Sequence, residues 1–474
     1  MLLGGAAMVT SCGDDDEPVI NNGNNNGGDS NTDGGNGGGT VLVQSMTEAQ
    51  SVLDRTGRTL AQKVDANDLK PVAELADYAL SLFDGDDEAE YAPVYPVYPT
   101  NMARTVLSLA KDAATLNVAS VAQKRAITEL YRAADYYGEY VWNEKEHDWD
   151  GHKDEKYGSL TYIFNHEGST CKLVIKAGAD KYEIVEKGDS GNIRIMVPEN
   201  LTMTVTEGNI TRMSANVNIT ECNYSGRNFA TDMTYNVGNS LVIYAKVTDN
   251  NSLATAEGSV KSNGEELITY TANLTGSKLG DAMDMIDDEW DVKNNLDEGT
   301  VKLSILNQIS IEATADNSNR ELAKGLDYNG DWYYYRSWQN DSTTHENFND
   351  STIYKSFNDS TTHESFRDSE ARAQAEATHA ADVANQYIKG YITYNGSEYK
   401  TPIIWQAYEA DKYNYSYNDP YHNWGYENAW GTWGIEPLLQ FENGTTYSFE
   451  SWFTDTRFNG VIEAFEDLAN RIGL

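Results

Sequence analysis

Residues 201–220 read LTMTVTEGNITRMSANVNIT. Between Thr202 and Thr206, and again between Asn216 and Thr220, apolar and polar side chains alternate with a period of two, the pattern of a strand with one buried face. Glu207-Gly208-Asn209 separates the two runs with turn-forming residues. Outward from there, Leu241–Thr248 alternates in the same way. Turn signals recur at Glu167-Gly168, Gly178, Gly188–Gly191, Gly238-Asn239, Asn250-Asn251 and Asn263-Gly264. Short strands at such regular spacing predict an antiparallel meander over 139–276, closed or curled. Asn-Gly favours the type I′ hairpin because both central residues need positive φ.

Upstream the period is helical. Leu69, Val72, Leu75, Ala79 and Phe83 form one stripe, with Asp84-Gly85 as its stop. Thr47-Glu48-Ala49-Gln50 and Ser120-Val121-Ala122-Gln123 fit the capping box. A Pro-rich connector runs from Tyr91 to Pro99, and Ile127, Leu130, Ala134 and Tyr137 make a last stripe before Gly138. Downstream, the pattern predicts a helix over 277–288, a long strand over 300–313, and an Ala-rich helix over Ser369–Lys389 stopped by Gly390. Strands follow at Tyr391–Tyr394, Tyr399–Trp405 and Leu438–Phe449, the last turned at Asn443-Gly444. Phe458, Val461, Ile462, Phe465, Leu468 and Ile472 form the stripe of a terminal amphipathic helix. The expected class is α+β. A helical subdomain (47–138) precedes a large curled antiparallel β-meander with covering helices (139–474).

Composition limits the partners. The formal charge of −39 argues against nucleic acid and against anionic membrane surfaces. No apolar stretch after the first residues is long enough to span a bilayer. Residues 13–39 are an acidic run followed by an Asn/Gly/Asp tract, with too few apolar side chains to offset their ordering entropy. Residues 12–46 therefore read as a flexible tether. Of the three cysteines, Cys171 and Cys222 lie in strand-like segments, where a disulfide or two buried thiols are both open.

The chain opens MLLGGAAMVTSC. A short apolar segment ending in small residues is the tail of a signal peptide, which gives residues 1–11 that role. No Lys or Arg precedes Arg55, so the basic n-region is expected upstream of Met1. Val9-Thr10-Ser11-Cys12 resembles the lipobox of bacterial lipoproteins, which implies that Cys12 carries a diacylglycerol and an acylated N-terminus. Several acyl chains give stable anchoring where one gives marginal binding. The acidic run Gly13-Asp14-Asp15-Asp16-Glu17 resembles the surface-export signal of outer-membrane lipoproteins of the Bacteroidota. Two further stretches, Leu438–Glu450 (LLQFENGTTYSFE) and Leu53-Asp54-Arg55-Thr56-Gly57 with Leu75-Ala76-Asp77-Tyr78, are similar to uncharacterised lipoproteins of that group. The resemblance implies an outer-membrane location facing the cell exterior, and it carries neither an activity nor site residues.

Candidate chemistry is sparse. His147, Asp148, Asp150, His152 and Asp154 crowd one stretch, yet a polar hairpin turn explains them better than a metal. Asp84–Glu88 and Asp287-Asp288-Glu289 lack EF-hand spacing. There is no Gly-x-Ser-x-Gly elbow and no Cys–His signature. The chain is therefore read as non-catalytic, without cofactor or resident metal. Residues 340–366 hold three copies of a nine-residue unit beginning Asn-Asp-Ser-Thr. An odd step changes the face of a strand or helix, so the unit predicts a solvated loop. Its Asp-Ser-Thr triplets resemble the O-glycosylation acceptor of the Bacteroidota, which nominates Ser342, Ser351 and Ser360. Finally, Tyr415, Tyr417, Tyr421, Trp424, Tyr426 and Trp430 stand among Asn414, Asn418, Asp419, Asn423 and Asn428, with Trp332–Tyr335 upstream. Rings that stack on C–H bonds beside amides that meet hydroxyls suit a polysaccharide; cross-strand packing is the plain alternative. The expected function is a membrane-anchored lipoprotein binding a ligand, a glycan first. The alternatives are an apolar-ligand carrier or a structural subunit contacting another surface protein.

Overall fold

The structure is a computed structural model that describes residues 41–83, 99–114, 129–188, 191–223, 228–250, 252–277, 295–326, 332–339, 366–419 and 424–473. The described residues start with a two-residue strand, β1 (Leu42–Val43), and three helices, α1 (Met46–Lys63), α2 (Ala66–Ser81) and α3 (Pro99–Ala114). A 3-10 turn, Glu129–Tyr136, leads into the strands. These are β2 (Gly138–Asn143), β3 (Asp148–Lys153), β4 (Leu160–His166), β5 (Ser169–Ala177), β6 (Asp180–Gly188), β7 (Gly191–Pro198) and β8 (Asn200–Glu207). Next come β9 (Ile210–Asn223), β10 (Asn228–Val237), β11 (Leu241–Asp249), β12 (Leu253–Ser262), β13 (Glu265–Gly276), β14 (Leu296–Ile305) and β15 (Ile309–Asp316). The last part holds α4 (Glu321–Leu326), β16 (Trp332–Gln339), α5 (Phe366–Tyr387), β17 (Ile388–Tyr394), β18 (Tyr399–Asp419), β19 (Trp424–Gln440) and β20 (Thr446–Ser448). It closes with α6 (Phe449–Trp452) and α7 (Asp455–Ile472).

The class is α+β, with a large, mostly antiparallel meander that does not close. Pairing runs β3-β2-β4-β5-β8-β9 and then strand by strand to β15, then β17-β18-β19. β16 and β20 share the outer edge of β19, and β1 joins β18. β1–β18 and β2–β4 are parallel pairs. β6 and β7 form a ribbon of their own.

The alternation in the 201–220 stretch becomes the centre of the core. Leu201, Met203 and Val205 register with Val217, Ala215 and Met213, which register with Met233, Tyr235 and Val237. All nine are buried, and α2, α3 and the end of α7 cover them in one continuous cluster. Each large apolar side chain so buried contributes about 1.5–3 kcal/mol. Leu69, Leu75, Met102 and Leu107 of α2 and α3 belong to the same cluster as the strands. A smaller cluster of Ala49, Ile309, Ile392, Tyr394, Leu439, Phe441, Trp452 and Phe458 joins α1, β15, β17, the end of β19, α6 and α7.

Several expectations are corrected. The tether boundary at 46 is too late, because Leu42–Val43 pairs with β18 and Ser45 caps α1 by accepting from the Glu48 amide at 3.3 Å. The cap is thus Ser45, two residues before the expected Thr47. The strand expected over 300–313 is two strands, β14 and β15. Their turn puts Leu306 and Asn307 at φ 51 and 52, a left-handed turn that a leucine does not advertise. Elsewhere the turn residues act as read: Glu167-Gly168 and Asn263-Gly264 both have positive φ at both positions. The expected helix 277–288 falls almost wholly outside the described residues, as do Ser120–Gln123 and Asp84-Gly85.

No disulfide joins Cys171 and Cys222; both are thiols. Cys171 registers with Glu207, and Glu207 with Ile210 at the start of β9. Cys222 sits twelve residues farther along that strand, roughly 40 Å at the rise of a strand, far beyond bridging distance.

Candidate functional site

The aromatic segment folds into a long hairpin, β18 against β19, widened by β16. Register pairs Tyr413 with Trp430, Tyr415 with Asn428, Tyr417 with Tyr426, and Asp419 with Trp424. On the other side of β19, Tyr334 meets Trp430, Arg336 meets Asn428, and Trp338 meets Tyr426. Because paired residues of an antiparallel ladder share a face and faces alternate along each strand, all of these positions lie on one face of a three-stranded ribbon. The opposite face carries Asn414, Ser416, Asn418, Gly425, Ala429 and Gly431. Asn428 and Asp419 keep company with the rings by register; Asn414 and Asn418 do not. Tyr421 and Asn423 lie outside the described residues.

The two faces differ in what covers them. α5 lies across β16, β18 and β19. Ala373, Ala377, Ala380 and Ala384 form its fully buried stripe, and side chains this small allow close approach to a sheet. Lys412 shows which face it covers: Lys412 shares the glycine-rich face with Glu409 and pairs with it at 3.0 Å and with Glu370 of α5 at 3.4 Å. At its end, Asn385 donates to the Trp405 carbonyl and accepts from its amide, both at 2.7 Å. Gly431 on this side is buried. On the ring-bearing side, Tyr408 registers with Gly434 and remains 38% exposed. Farther toward α6, Glu436 occupies the same face; burial, then the Glu450 carboxylate, push its pKa up.

The other candidates resolve into local roles. Asp148, Asp150 and His152 line the exposed face of β3, while Trp149 on the opposite face packs edge-on against Tyr162 at 4.9 Å. Asp150 accepts from Asn143 at 2.6 Å, and Asp154 pairs with Lys156 at 2.5 Å. No three His, Cys, Asp or Glu side chains come together as a metal site among the described residues. Cys12 and the candidate glycosylation sites Ser342, Ser351 and Ser360 lie outside them, and Phe366, the last residue of the repeat, opens α5.

Sequence reasoning missed one constellation. Glu207 accepts from Arg212 Nη2 at 2.7 Å and Nε at 2.9 Å through one oxygen, and meets His166 Nδ1 at 3.1 Å through the other. Burial pushes Glu207 up, but the hydrogen bonds from Arg212 and His166 prevail and hold it below the usual carboxylate range. Burial first, and the Glu207 charge second, push the neighbouring Cys171 thiol up to about 11. A nucleophilic cysteine needs the opposite shift, so the group acts as a clamp across the β4–β5 and β8–β9 turns. His166 stands 41 residues from Glu207, and no spacing announces that the two turns meet.

In comparisons with protein-family models, curated proteins and solved structures, nothing matches the chain.

Proposed function

We propose that this is a non-catalytic outer-membrane lipoprotein, anchored through Cys12 and facing the cell exterior, that binds a polysaccharide on the ring-bearing face of the β16–β19–β18 ribbon. The observation that carries the reading is the one-sidedness of that ribbon. Positions Tyr413, Tyr415, Tyr417, Trp424, Tyr426 and Trp430 share a face by register, α5 covers the other face, and Tyr408 is exposed on the first. A sheet that merely packs its aromatic residues would carry them at positions facing its helix; in this ribbon the aromatic positions fall on the other face by register, which supports a binding role. Asn428, Arg336 and Asp419 share the ring-bearing face by register and supply polar groups for hydroxyls.

The test is alanine replacement of Trp424 and Trp430, each followed by thermal melting and by affinity electrophoresis on mucosal and plant polysaccharides. Binding is expected to weaken by a factor of about 10–30 per ring, a hot-spot loss of about 1.4–2 kcal/mol, while melting changes little. Melting losses of about 3–5 kcal/mol, with no polysaccharide retarded by the wild type, would sink the glycan reading. The surviving role would then be contact with another surface protein. Location has its own check. Expressed with the natural upstream codons, the full chain is expected in the detergent phase, and Cys12→Ala in the aqueous phase. A Cys12→Ala protein that stays acylated and membrane-bound refutes the anchor.

A further inference from the structure

A cleft of about 530 Å³ opens where the start of α1 meets the turns after β14, β17 and β19. That volume is the size of small-molecule sites. It lies at the Tyr399 end of β18, fourteen residues from Tyr413, so about 45 Å of strand separates it from the ring-bearing ribbon. The two stretches that carry the resemblance to lipoproteins meet there: Arg55 comes from one and Glu442 from the other.

Ser45, Glu48, Val52 and Arg55 all line the cleft, at the i, i+3, i+7 and i+10 positions that stack on one helix face. The helix N-terminus is already served by the Ser45 cap. Gln44 is the group that still lacks a partner. Its amide donates to the Lys400 carbonyl at 2.8 Å and its carbonyl accepts from Glu442 at 3.1 Å, which clamps it between β18 and the turn after β19. The side chain is only 6% exposed. Its Oε1 accepts from the Ser45 amide at 3.0 Å, which fixes the orientation of the amide group. Nε2 then faces the cleft with both hydrogens and has no partner among the described residues. Nε2 is not sealed from solvent, so it can donate to an acceptor brought into the cleft that Gln44 lines.

The charges specify what brings that acceptor. Arg55, Glu48 and Glu442 line the cleft, and none of them forms an ion pair among the described residues. Glu48 and Arg55 are two helical turns apart, about 10 Å along the axis. Glu442 joins the Glu48 end through its backbone bond to Gln44. The cleft is thus anionic at one end and cationic at the other, with the Gln44 donor and the Gln308 and Asn395 amides also in its wall. We propose that it binds a short peptide with free termini. The ammonium group lies by Glu48 and Glu442, the carboxylate meets Arg55, and a peptide carbonyl accepts from Gln44 Nε2. An extended chain spans about 3.3–3.6 Å per residue, so two or three residues bridge the charges where a single amino acid does not. A neutral sugar leaves all three charges unanswered. Tyr399, 45% exposed at the rim, offers a ring to a side chain of the peptide. The site is independent of the glycan reading.

The experiment is calorimetric titration of the full folded chain with trialanine, N-acetyl-trialanine, trialanine amide, alanine and an uncharged trisaccharide. Trialanine is expected to bind saturably, and either blocked form about tenfold or more weakly, the loss of one charge-assisted contact. Arg55→Gln is expected to lose the discrimination against trialanine amide, and Glu442→Gln the discrimination against N-acetyl-trialanine. Both variants change exposed side chains, and circular dichroism checks that they fold. The proposal is overturned if trialanine gives no saturable heat at millimolar concentration, if blocking the termini changes nothing, or if alanine binds as well as trialanine. It is equally overturned if the trisaccharide binds and Arg55→Gln abolishes that binding.

Discussion

Replacing Trp452 by alanine is expected to lower the free energy of unfolding by about 3–5 kcal/mol, the range for emptying a large core aromatic site. Trp452 is fully buried although its helix, α6, is only four residues long. Its ring centroid lies 4.4 Å from Phe441, 5.3 Å from Tyr447 and 6.0 Å from Phe458, and the Arg457 guanidinium sits 4.9 Å from it. The cluster around it ties α1, β15, β17 and the end of β19 to α7, so the cavity opens where these elements meet. Its Nε1 is buried and has no hydrogen-bond partner among the described residues. Trp452→Phe removes that orphan donor while keeping a ring, and is expected to cost only about 1–2 kcal/mol. Urea unfolding of both variants checks this. A Trp452→Ala midpoint within error of wild type, or a phenylalanine variant as weak as the alanine one, contradicts the packing account.

Asp68→Ala is expected to cost about 2–3 kcal/mol at neutral pH, the combined loss of several charge-assisted hydrogen bonds softened by partial exposure. One carboxylate on the first turn of α2 accepts from the Asn239 amide at 2.7 Å, the Ser240 amide at 2.7 Å, the Ser240 hydroxyl at 2.7 Å and the Asn239 side chain at 3.0 Å. It thereby fastens the helical layer to the β10–β11 hairpin across 171 residues of sequence. Gly238, at φ 59, is the residue that lets this turn approach, since a Cβ there would run into the carboxylate. Burial pushes the Asp68 pKa up, but the bonds from Ser240 and Asn239 outweigh it, and the pKa lies below its ordinary 3.8. A carboxyl group depressed on folding contributes in full above its unfolded pKa and loses that contribution as pH falls through the folded one. The gap between wild type and Asp68→Ala in urea midpoint should therefore hold down to about pH 4 and shrink below 3.8. A gap that does not change at acid pH would mean that packing, not the charged carboxylate, holds the turn.

Much of the β architecture could be read in advance because its signals are local. The alternation at Leu201–Val205 and Asn216–Thr220 and the Gly-containing turns describe strands whose partners are their neighbours in sequence, and in β8–β13 they pair that way. The reading failed where the local signal was silent. Leu306 has no turn propensity, yet it sits in a left-handed turn because β14 and β15 pair on either side of it. Leu42–Val43 looked like tether because two residues carry no period, and only the edge of β18 makes them a strand.

The candidate sites divide in the same way. Tyr413, Tyr415 and Tyr417 show period two, so their common face was in the sequence from the start. That the face also takes Trp424, Tyr426 and Trp430 depends on the register across β18 and β19. That it is the side turned away from α5 depends on Lys412 reaching Glu370. No pattern hinted at the cleft, because Gln44 with Arg55, Gln308, Tyr399 and Glu442 come from four separate segments.

The sequence by itself determined the α+β class, the meander and its hairpin turns, the amphipathic stripes and the aromatic density of 408–433, since each depends on residues within one turn or one hairpin of each other. The tertiary structure alone decided which face of the ribbon α5 covers, that Cys171 and Cys222 sit too far apart to bridge, and that a buried glutamine meets unanswered charges of both signs in one cleft. Those outcomes depend on long-range register and on helix placement, where a shift of one residue turns every side chain of a strand to the other face.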